Sequence, residues 1–232
     1  MKKIILVTGA SRGIGASVAR LAGARGYRVI VNYLNNQASA EEVVHHIKNS
    51  GGDAVAIQAD VGDLSAVKAM FAKIDELWGC VDVLVNNAGM LANFRVEDVT
   101  DRNLSQIFRT NVFSAYFCSC EAIKRMSTKH GGKGGSIINL SSVASRLGGL
   151  GGGSGYAATK AAISTFTLAL AKEVGHEGIR VNAVSPGLIE TEIHNVHGGV
   201  QQMQELAKTA VPMGRHGSAD EVAEAILWLA SD

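Results

Sequence analysis

The amino-acid sequence predicts an α/β fold, a doubly wound parallel sheet in three layers with helices on both faces. Short apolar runs alternate with longer helical patterns along all 232 residues, without a Pro-rich or charged linker between them. Most of the runs are nearly continuous Val, Ile, Leu and Ala, which is typical of strands buried on both faces of a parallel sheet. Repeated βα units with right-handed crossovers then produce a doubly wound sheet. We therefore expect a single domain over residues 1–232.

The predicted elements follow the apolar periodicity. Strands are expected at Ile4–Thr8, Arg28–Asn32, Asp53–Ala59, Val81–Asn86, Ser136–Ser141 and Arg180–Ser185. Helices are expected at about Gly13–Gly26, Ala38–Ser50, Leu64–Leu77, Asp101–Thr128, Tyr156–His176, Val200–Thr209 and Ser218–Ser231. Glycines gather at the strand-to-helix turns and in two loops, Gly131–Gly135 and Gly148–Gly155.

Composition and charge argue against several classes of protein. A net charge of +1 with interspersed signs provides no basic face, so nucleic acid is not expected as a partner. No apolar run approaches the ~18 residues of a membrane span. The three cysteines, Cys80, Cys118 and Cys120, have no CxxC spacing, so neither a disulfide framework nor a metal site is expected. The apolar run Ile4–Val7 is too short for a signal peptide, and we expect a cytoplasmic protein.

The first strand runs into a glycine-rich turn, Thr8-Gly9-Ala10-Ser11-Arg12-Gly13-Ile14-Gly15, that opens the first helix. Glycine permits a tight turn and close backbone approach, so the amides at the helix N-terminus can face a pyrophosphate. In this strand–turn–helix position the loop predicts dinucleotide binding. The alternative is a turn that serves only helix–sheet packing.

The end of the second strand bears on which dinucleotide is bound. An acid there would hold a ribose 2′-hydroxyl and favour NAD, but Val31-Asn32-Tyr33-Leu34-Asn35 contains no carboxylate. Arg12 supplies a cation for a 2′-phosphate instead. NADP(H) is therefore favoured over NAD(H), unless Arg12 is simply a solvated loop residue.

Polar residues follow the third and fourth strands, at carboxyl ends where such sheets bind ligands. Asp60 and Val61 follow the third strand, and Asp60 can accept a hydrogen bond from an adenine amino group. Asn86-Asn87-Ala88-Gly89 follows the fourth strand, where asparagine can equally tie its own turn. Asn111 falls in the middle of a predicted helix, where asparagine has no propensity advantage. A solvent-facing position is the simple alternative for Asn111.

Tyr156 and Lys160 stand four residues apart at the start of a predicted helix, so their side chains share one face. A tyrosine has a pKa of about 10, and a fixed ammonium one turn away is expected to lower it, as a proton shuttle near neutrality requires. An ordinary amphipathic helix with a half-buried tyrosine and a solvated lysine is the alternative.

With Thr8–Gly15, Asn86–Gly89, Asn111, Ser142 and Tyr156-x-x-x-Lys160 in this order on a βα framework, the chain resembles the short-chain dehydrogenase/reductase family. The resemblance covers essentially the whole sequence and implies a Rossmann fold. The spacing Gly-x-x-x-Gly-x-Gly is similar to that of the single-domain branch, which includes 3-oxoacyl-carrier-protein reductases and sugar dehydrogenases.

The resemblance also implies roles for individual residues. Tyr156 would be the general acid/base, Lys160 its partner and a ligand of the nicotinamide ribose, and Ser142 a hydrogen-bond partner of the substrate oxygen. Asn111 would anchor a water linking Lys160 to solvent. Ser141 is rejected as the active serine, because the family places that serine immediately before the Val-type residue. Together the motifs and the resemblance predict cofactor contacts at Gly9, Ser11, Arg12, Gly13, Ile14, Gly15, Asn32, Asp60, Val61, Asn87, Ala88, Gly89, Tyr156, Lys160, Pro186, Gly187, Ile189 and Thr191.

Three further expectations concern the C-terminal part. The segment at about residues 190–215, which includes His194, His197, Met203 and Met213, should fold over the substrate as a lid. Relatives continue past the point where this sequence ends into a seventh strand, so the final edge strand is expected to be missing. That region helps to form tetramers in many relatives, and we expect a homo-oligomer, a tetramer or a dimer.

The resulting hypothesis is an NADP(H)-dependent carbonyl reductase or alcohol dehydrogenase. A nucleotide-binding sensor without turnover is a second hypothesis, which the complete set of catalytic residues disfavours. An epimerase or dehydratase that uses its cofactor transiently is a third, which the glycine spacing disfavours. A sugar alcohol, a 3-oxoacyl thioester, a small ketone and a quinone all remain open as substrates.

Overall fold

The chain forms a six-stranded parallel sheet with helices on both faces, an open Rossmann-like α/β fold. The computed structural model describes residues 2–149, 152–191 and 199–231. The strand order is β3-β2-β1-β4-β5-β6, so the chain reverses direction across the sheet between β1 and β4. The strands are β1 (Ile4–Val7), β2 (Arg28–Tyr33), β3 (Asp53–Gln58), β4 (Val83–Asn86), β5 (Gly135–Leu140) and β6 (Ile179–Val184).

The helices connect these strands as crossovers and follow the last of them. They are α1 (Gly13–Ala24), α2 (Gln37–Asn49), α3 (Leu64–Leu77), α4 (Asp101–Phe108), α5 (Ser114–Met126), α6 (Ala144–Leu147), α7 (Ser154–Val174), α8 (Gly199–Ala210) and α9 (Ala219–Ala230). Side chains cap several of them: Asn36 accepts a hydrogen bond from the amide of Ser39 at the start of α2. Ser218 and Glu221 form a reciprocal capping box on α9.

Each face of the sheet carries its own apolar core because side chains alternate along a strand. Ile5, Val7 and Val31 point to one face and pack against α1, α2 and α9. Ile4 and Leu6 point to the other face and pack against α3, α5 and α7. This double burial explains why the strands read as continuous apolar runs and confirms the predicted three-layer parallel sheet.

Every predicted strand and helix occurs, with one substantial difference inside the predicted helix Asp101–Thr128. The chain there forms α4, a π-helical turn at Arg109–Phe113 and then α5. Asn111 lies in that π turn and is 2% exposed, which excludes the solvent-facing alternative. The extra residue in a π turn bulges the backbone, and such turns are frequent at functional sites. The short helix α6 was not predicted, since four residues carry too little periodicity.

The C-terminal part lies against the sheet edge and the first helix. Within the described residues β6 ends the sheet, and the guanidinium of Arg180 donates hydrogen bonds to the carbonyls of Leu229 and Ser231. Ile189 and Gly217 form an isolated parallel bridge that joins the two ends of the predicted lid. His194 and His197 lie outside the described residues. No helix in the described ranges is long and apolar enough to cross a membrane.

Candidate active site

The carboxyl ends of β4, β5 and β6 open onto a cavity of about 470 Å³ that the first turn also borders. The position agrees with the general rule that open α/β sheets bind ligands at the point where the strand order reverses. The cavity is lined by Ile14, Asn87, Gly89, Leu91, Ala92, Leu140, Ser141, Ser142, Val143, Ala144, Leu147, Gly149, Gly153, Tyr156, Lys160, Pro186, Gly187, Leu188, Ile189, Thr191, Leu206, Ala210, Val211 and Pro212.

Glycine is required where the first turn approaches the end of β4. Gly9 has a φ of +61°, and a Cβ there would lie 3.0 Å from the Cα of Ala88. A Cβ on Gly15 would lie 2.4 Å from Nδ2 of Asn87 and 2.6 Å from the carbonyl oxygen of Gly9. The turn therefore packs against Asn87 and Ala88 at backbone distance, with the N-terminus of α1 beside the cavity.

The hydroxyl of Thr8 holds the end of β4 in place. Thr8 is 2% exposed, and its Oγ1 accepts hydrogen bonds from the amides of Asn87 and Ala88, each at 3.0 Å. Nδ2 of Asn87 in turn donates hydrogen bonds to the carbonyls of Thr8 and Gly9 at 2.8 and 3.0 Å. Thr8 belongs to the glycine-turn motif but is not among the predicted site residues, because only the tertiary fold brings β1 and β4 side by side.

The predicted cofactor residues on β2 and after β3 do not line the cavity at the ends of β4, β5 and β6. Asn32 is 1% exposed; its Oδ1 accepts from the amide of Gly9 at 3.2 Å, and its Nδ2 donates to the carbonyls of Ile57 and Ala59. Its side chain thus ties the first turn to β3. Asp60 accepts the amide of Gly62 at 2.8 Å and is exposed. Neither Asp60 nor Val61 lines the cavity at the ends of β4, β5 and β6.

Ser11, Arg12 and Gly13 line a second, polar pocket between the N-termini of α1 and α2. Its remaining lining residues are Ala16, Arg20, Asn36, Ser39, Glu42, Val43 and His46. Arg12 and the positive ends of two helix dipoles therefore face the same space. Such an arrangement attracts an anionic group.

Tyr156 lies in the first turn of α7, with its ring half-buried at the cavity. Burial raises the pKa of its phenol above the ordinary value, and a hydrogen bond with Ser142 opposes that shift. The expectation that Lys160 lowers this pKa is therefore wrong for the protein by itself. Burial removes the phenolate from water, and that penalty is the largest effect on the pKa.

Lys160 is 5% exposed and has its ammonium 5.7 Å from the centre of the Tyr156 ring. Its Nζ donates a 2.6 Å hydrogen bond to the carbonyl of Leu140, the last residue of β5. Burial lowers the pKa of Lys160 to about 8. The solvated lysine of the alternative interpretation is thus excluded, and the predicted convergence of Tyr156 and Lys160 on one helix face is observed.

The two adjacent serines after β5 differ in their partners. Ser141 is 3% exposed, and its hydroxyl donates to the carbonyl of Lys160 at 2.9 Å and contacts that of Ser164. Ser142 is half-buried and hydrogen-bonded to Tyr156, while its Oγ accepts the amide of Ala144. Ser141 therefore fastens α7 to β5, and Ser142 presents its hydroxyl beside the phenol.

Asn111 connects the π turn to the loop after β4 and to α7. Its Oδ1 accepts the amide of Met90 at 2.8 Å, and its Nδ2 donates to the carbonyl of Met90 and to Oγ1 of Thr159, each at 3.0 Å. Thr159 in turn donates to the carbonyl of Tyr156 at 2.7 Å. Met90 and Thr159 are positioning residues that the sequence did not indicate, since their partners lie 21 and 48 positions away.

The loop after β4 also packs against the glycine loop at the mouth of the cavity. The amide of Phe94 donates to the carbonyl of Gly152 at 3.0 Å. A Cβ on Gly155 would lie 2.8 Å from Cζ of Phe94, so the ring lies directly on the backbone that precedes Tyr156. On the opposite side, Thr191 lies next to Gly13, its Cγ2 3.5 Å from where a Cβ would stand.

Comparison with known proteins gives a consistent assignment. The profile of a family described as Enoyl-(Acyl carrier protein) reductase matches residues 9–232. The chain belongs to the short-chain dehydrogenase/reductase family. It is 48% identical to an uncharacterized oxidoreductase, YgfF, of Escherichia coli, over 99% of this chain and 93% of that protein. It is 38% identical to a 3-oxoacyl-[acyl-carrier-protein] reductase of Staphylococcus aureus, over 100% and 92%, and 39% identical to a versicolorin reductase of Emericella nidulans, over 99% and 89%.

As a member of this family the protein is an NAD(P)-dependent dehydrogenase or reductase that acts on small molecules. The residues present fit a nicotinamide dinucleotide, because the cavity runs from Ile14 of the first turn to Tyr156 and Lys160. The close packing of Gly9 and Gly15 against Ala88 and Asn87 holds the N-terminus of α1 beside that cavity. Among the described residues, no group of three or more His, Cys, Asp or Glu side chains is arranged to hold a metal ion.

Replacement of Thr8 by valine should destabilise the protein by about 2–3 kcal/mol, because at similar side-chain volume the part-buried amide of Ala88 loses its acceptor and that of Asn87 keeps only the carbonyl of Val85. Urea denaturation measures the change in the free energy of unfolding. Thr8→Ser keeps the hydroxyl and should cost about 1 kcal/mol for the lost methyl group. Equal losses in the two variants would contradict the role given to the hydroxyl.

The Lys160 ammonium should titrate with a pKa of about 8 in NMR of protein carrying isotope-labelled lysine. Burial disfavours its charged form, so the resonance should move well before those of exposed lysines. Lys124 is the internal contrast, because its hydrogen bond to Glu121 raises its pKa. Titration of Lys160 together with the exposed lysines, above about pH 10, would show that the side chain is not buried in solution.

Proposed function

We propose that the protein is an NADP(H)-dependent oxidoreductase that interconverts a carbonyl compound and a secondary alcohol, with Tyr156 as general acid/base. The observation that carries this proposal is the convergence of three groups on one cavity: the Tyr156 phenol, the Ser142 hydroxyl bonded to it and the Lys160 ammonium held by Leu140. The first turn borders the same cavity through Ile14, which brings a cofactor and a substrate oxygen within reach of each other.

In the direction of reduction, Tyr156 donates the proton that the substrate oxygen gains. Its pKa is raised by burial, so it is protonated at neutral pH and acts as the acid. A bound nicotinamide would supply the hydride that the carbonyl carbon gains. Ser142 donates a hydrogen bond to the oxygen on which negative charge develops. Oxidation of the alcohol reverses each of these transfers.

Lys160 stabilises the phenolate that remains on Tyr156 after the proton has left. Its ammonium is fixed by the Leu140 carbonyl, so no side-chain reorganisation is needed when the charge appears. Opposite charges interact strongly where water is excluded. Asn111 and Thr159 hold the first turn of α7 against the loop that carries Met90 and so keep Tyr156 in position.

The preference for NADP(H) rests on the polar pocket that contains Arg12. The pocket lies between the N-termini of α1 and α2, where a 2′-phosphate would meet the guanidinium and two positive helix ends. The end of β2 carries no carboxylate that could hold a ribose hydroxyl, and Asn32 there is buried and bonded to backbone groups. Ser11, Gly13, Asp60 and Val61 complete the proposed contacts of the adenosine half.

The segment around residues 190–215 is proposed to close over the substrate. Leu206 and Ala210 of α8, with Val211 and Pro212 after it, form one wall of the cavity. The bridge between Ile189 and Gly217 fixes the base of this segment. Closure would exclude water while the proton and hydride move. We further propose that the whole of residues 1–232 works as one catalytic domain.

We also propose a homo-oligomer, a dimer or tetramer, located in the cytoplasm. Phe113, Tyr116 and Leu168 are apolar side chains of the π turn, α5 and α7 that are 48%, 50% and 67% exposed. Tyr116 stacks on Phe166, so α5 and α7 present one shared apolar surface. Cys80, Cys118 and Cys120 are free thiols, which suits a reducing compartment.

Tyr156→Phe should lower the rate of NADPH oxidation with any ketone that the wild-type protein reduces by at least about 100-fold, because the proton donor is removed. Binding of NADPH, followed by its fluorescence, should remain. Tyr27→Phe removes a phenol outside the cavity and should leave the rate unchanged. Near-wild-type turnover in Tyr156→Phe would refute Tyr156 as the acid, and a wild-type protein that binds NADPH but reduces no carbonyl would favour the sensor hypothesis.

Arg12→Gln should reduce kcat/KM for NADPH by about 10- to 100-fold and change that for NADH little, because only NADPH carries the phosphate that the guanidinium would bind. Initial rates with each cofactor measure the effect. Arg25→Gln, which removes a charge at the far end of α1, is the matched control. An equal loss with both cofactors would remove the basis of the NADP(H) preference.

Leu168→Glu should shift the protein to a smaller species in size-exclusion chromatography with light scattering, because a carboxylate would be buried in the proposed contact. Leu77→Glu introduces the same charge at an exposed leucine on α3 and should leave the mass unchanged. A wild-type protein that is monomeric at micromolar concentration would contradict the proposed assembly.

A further inference from the structure

The lining of the cavity at the ends of β4, β5 and β6 contains few polar side chains. These are Asn87, Ser141, Ser142, Tyr156, Lys160 and Thr191, which belong to strand ends, the start of α7 and the segment after β6. The rest of the lining is glycine or apolar and includes Leu91 and Ala92 after β4, Val143, Ala144 and Leu147 around α6, and Leu206, Ala210, Val211 and Pro212, which together are called the apolar wall below. Lys160 is the one charged side chain in this lining, as far as the described residues extend.

Most of the polar lining is already hydrogen-bonded within the protein. Nδ2 of Asn87 donates to Thr8 and Gly9, the hydroxyl of Ser141 donates to the Lys160 carbonyl, and the Lys160 ammonium donates to Leu140. Oγ1 of Thr191 donates to the carbonyl of Ile189 at 3.5 Å. The hydroxyls of Tyr156 and Ser142 contact each other and can both donate to one substrate oxygen. A substrate therefore finds hydrogen-bonding partners at one oxygen.

The apolar wall continues outward to the protein surface at α6. Leu147 is 78% exposed and Val143 is 36% exposed, although both line the cavity. Contact with an apolar ligand removes large apolar side chains at a cavity mouth from water, which stabilises the complex. A substrate that extends from the reacting carbon toward Val143 and Leu147 thus contacts apolar side chains among the described residues.

From this lining we propose that the substrate is an uncharged ketone, or the corresponding secondary alcohol, whose body is apolar and whose reacting oxygen is its one strongly hydrogen-bonding group in the cavity. The inference rests on the proposed function and narrows its substrate. A carboxylate, a phosphate or an additional hydroxyl group would lose its hydrogen bonds to water on contact with the apolar wall, and the side chains of the wall offer no hydrogen-bond partner in return. Among the substrate classes that the sequence left open, a sugar alcohol, with its several hydroxyl groups, is the one that the apolar wall disfavours.

The decisive comparison uses two ketones with NADPH, methyl 4-(3-oxobutyl)benzoate and the 4-(3-oxobutyl)benzoate anion. They share the reacting carbonyl and differ only in whether the distant carboxyl group is a neutral methyl ester or a charged carboxylate. The difference in kcat/KM between them therefore reports on the apolar wall. We expect kcat/KM for the ester to exceed that for the anion by at least about 100-fold, and that for dihydroxyacetone by a similar factor. Equal or better turnover of the anion or of dihydroxyacetone would overturn the inference.

A charge placed in the wall should change this selectivity. Leu206→Lys puts an ammonium into the apolar lining and should raise the anion-to-ester ratio of kcat/KM by at least about 10-fold. Leu77→Lys makes the same substitution on α3, outside the cavity, and should leave the ratio as it is in the wild type. An unchanged ratio in a folded Leu206→Lys protein would show that α8 does not face the substrate.

Binding measured without turnover separates this inference from the proposed function. Isothermal titration of the ester and the anion into Tyr156→Phe protein saturated with NADPH should show the same preference for the ester. Preferential binding without turnover in the wild type would refute the proposed reaction and keep the apolar site. Turnover without preference would refute the apolar site and keep the reaction, and binding of neither compound would overturn the inference as well.

Discussion

The buried ammonium of Lys160 is the constraint on which the rest of the site depends. A charge that is 5% exposed is costly, and here it is satisfied by the carbonyl of Leu140 at the end of a central strand. That bond requires α7 to lie directly against β5, and Ser141 reinforces the contact by bonding to the Lys160 carbonyl. Tyr156 is fixed one turn earlier on the same helix. The position of the phenol is therefore a consequence of how a lysine is buried.

Burial shifts the pKa values of Tyr156 and Lys160 in opposite directions, and both shifts suit the proposed reaction. It raises the pKa of Tyr156 and lowers the pKa of Lys160 to about 8, since in each case the neutral form is favoured. In the proposed reaction the phenol thus keeps its proton until a substrate oxygen takes it. The ammonium would then already be in place for the charge on the phenolate.

The lining of the cavity combines a few polar side chains with the apolar wall, and the two sets come from different elements of the fold. Hydroxyls and an ammonium lie at the carboxyl ends of the parallel strands and at the start of α7. Apolar side chains come from α6, α8 and the loop after β4, which lie outside the sheet. In the proposed function the first group of residues carries out the reaction, and the second group selects the substrate.

The sequence by itself determined the alternation of strands and helices, the parallel sheet, the glycine turn and the shared face of Tyr156 and Lys160, because these follow from local periodicity and spacing. It did not reveal the π turn at Asn111, the acceptor function of Thr8, or the links through Met90 and Thr159. Those features join residues that are distant in sequence, and they exist only once β1, β4 and α7 are packed together. The pKa of Tyr156 was decided in the same way, since burial is a property of the folded chain and outweighs what the neighbouring lysine suggested.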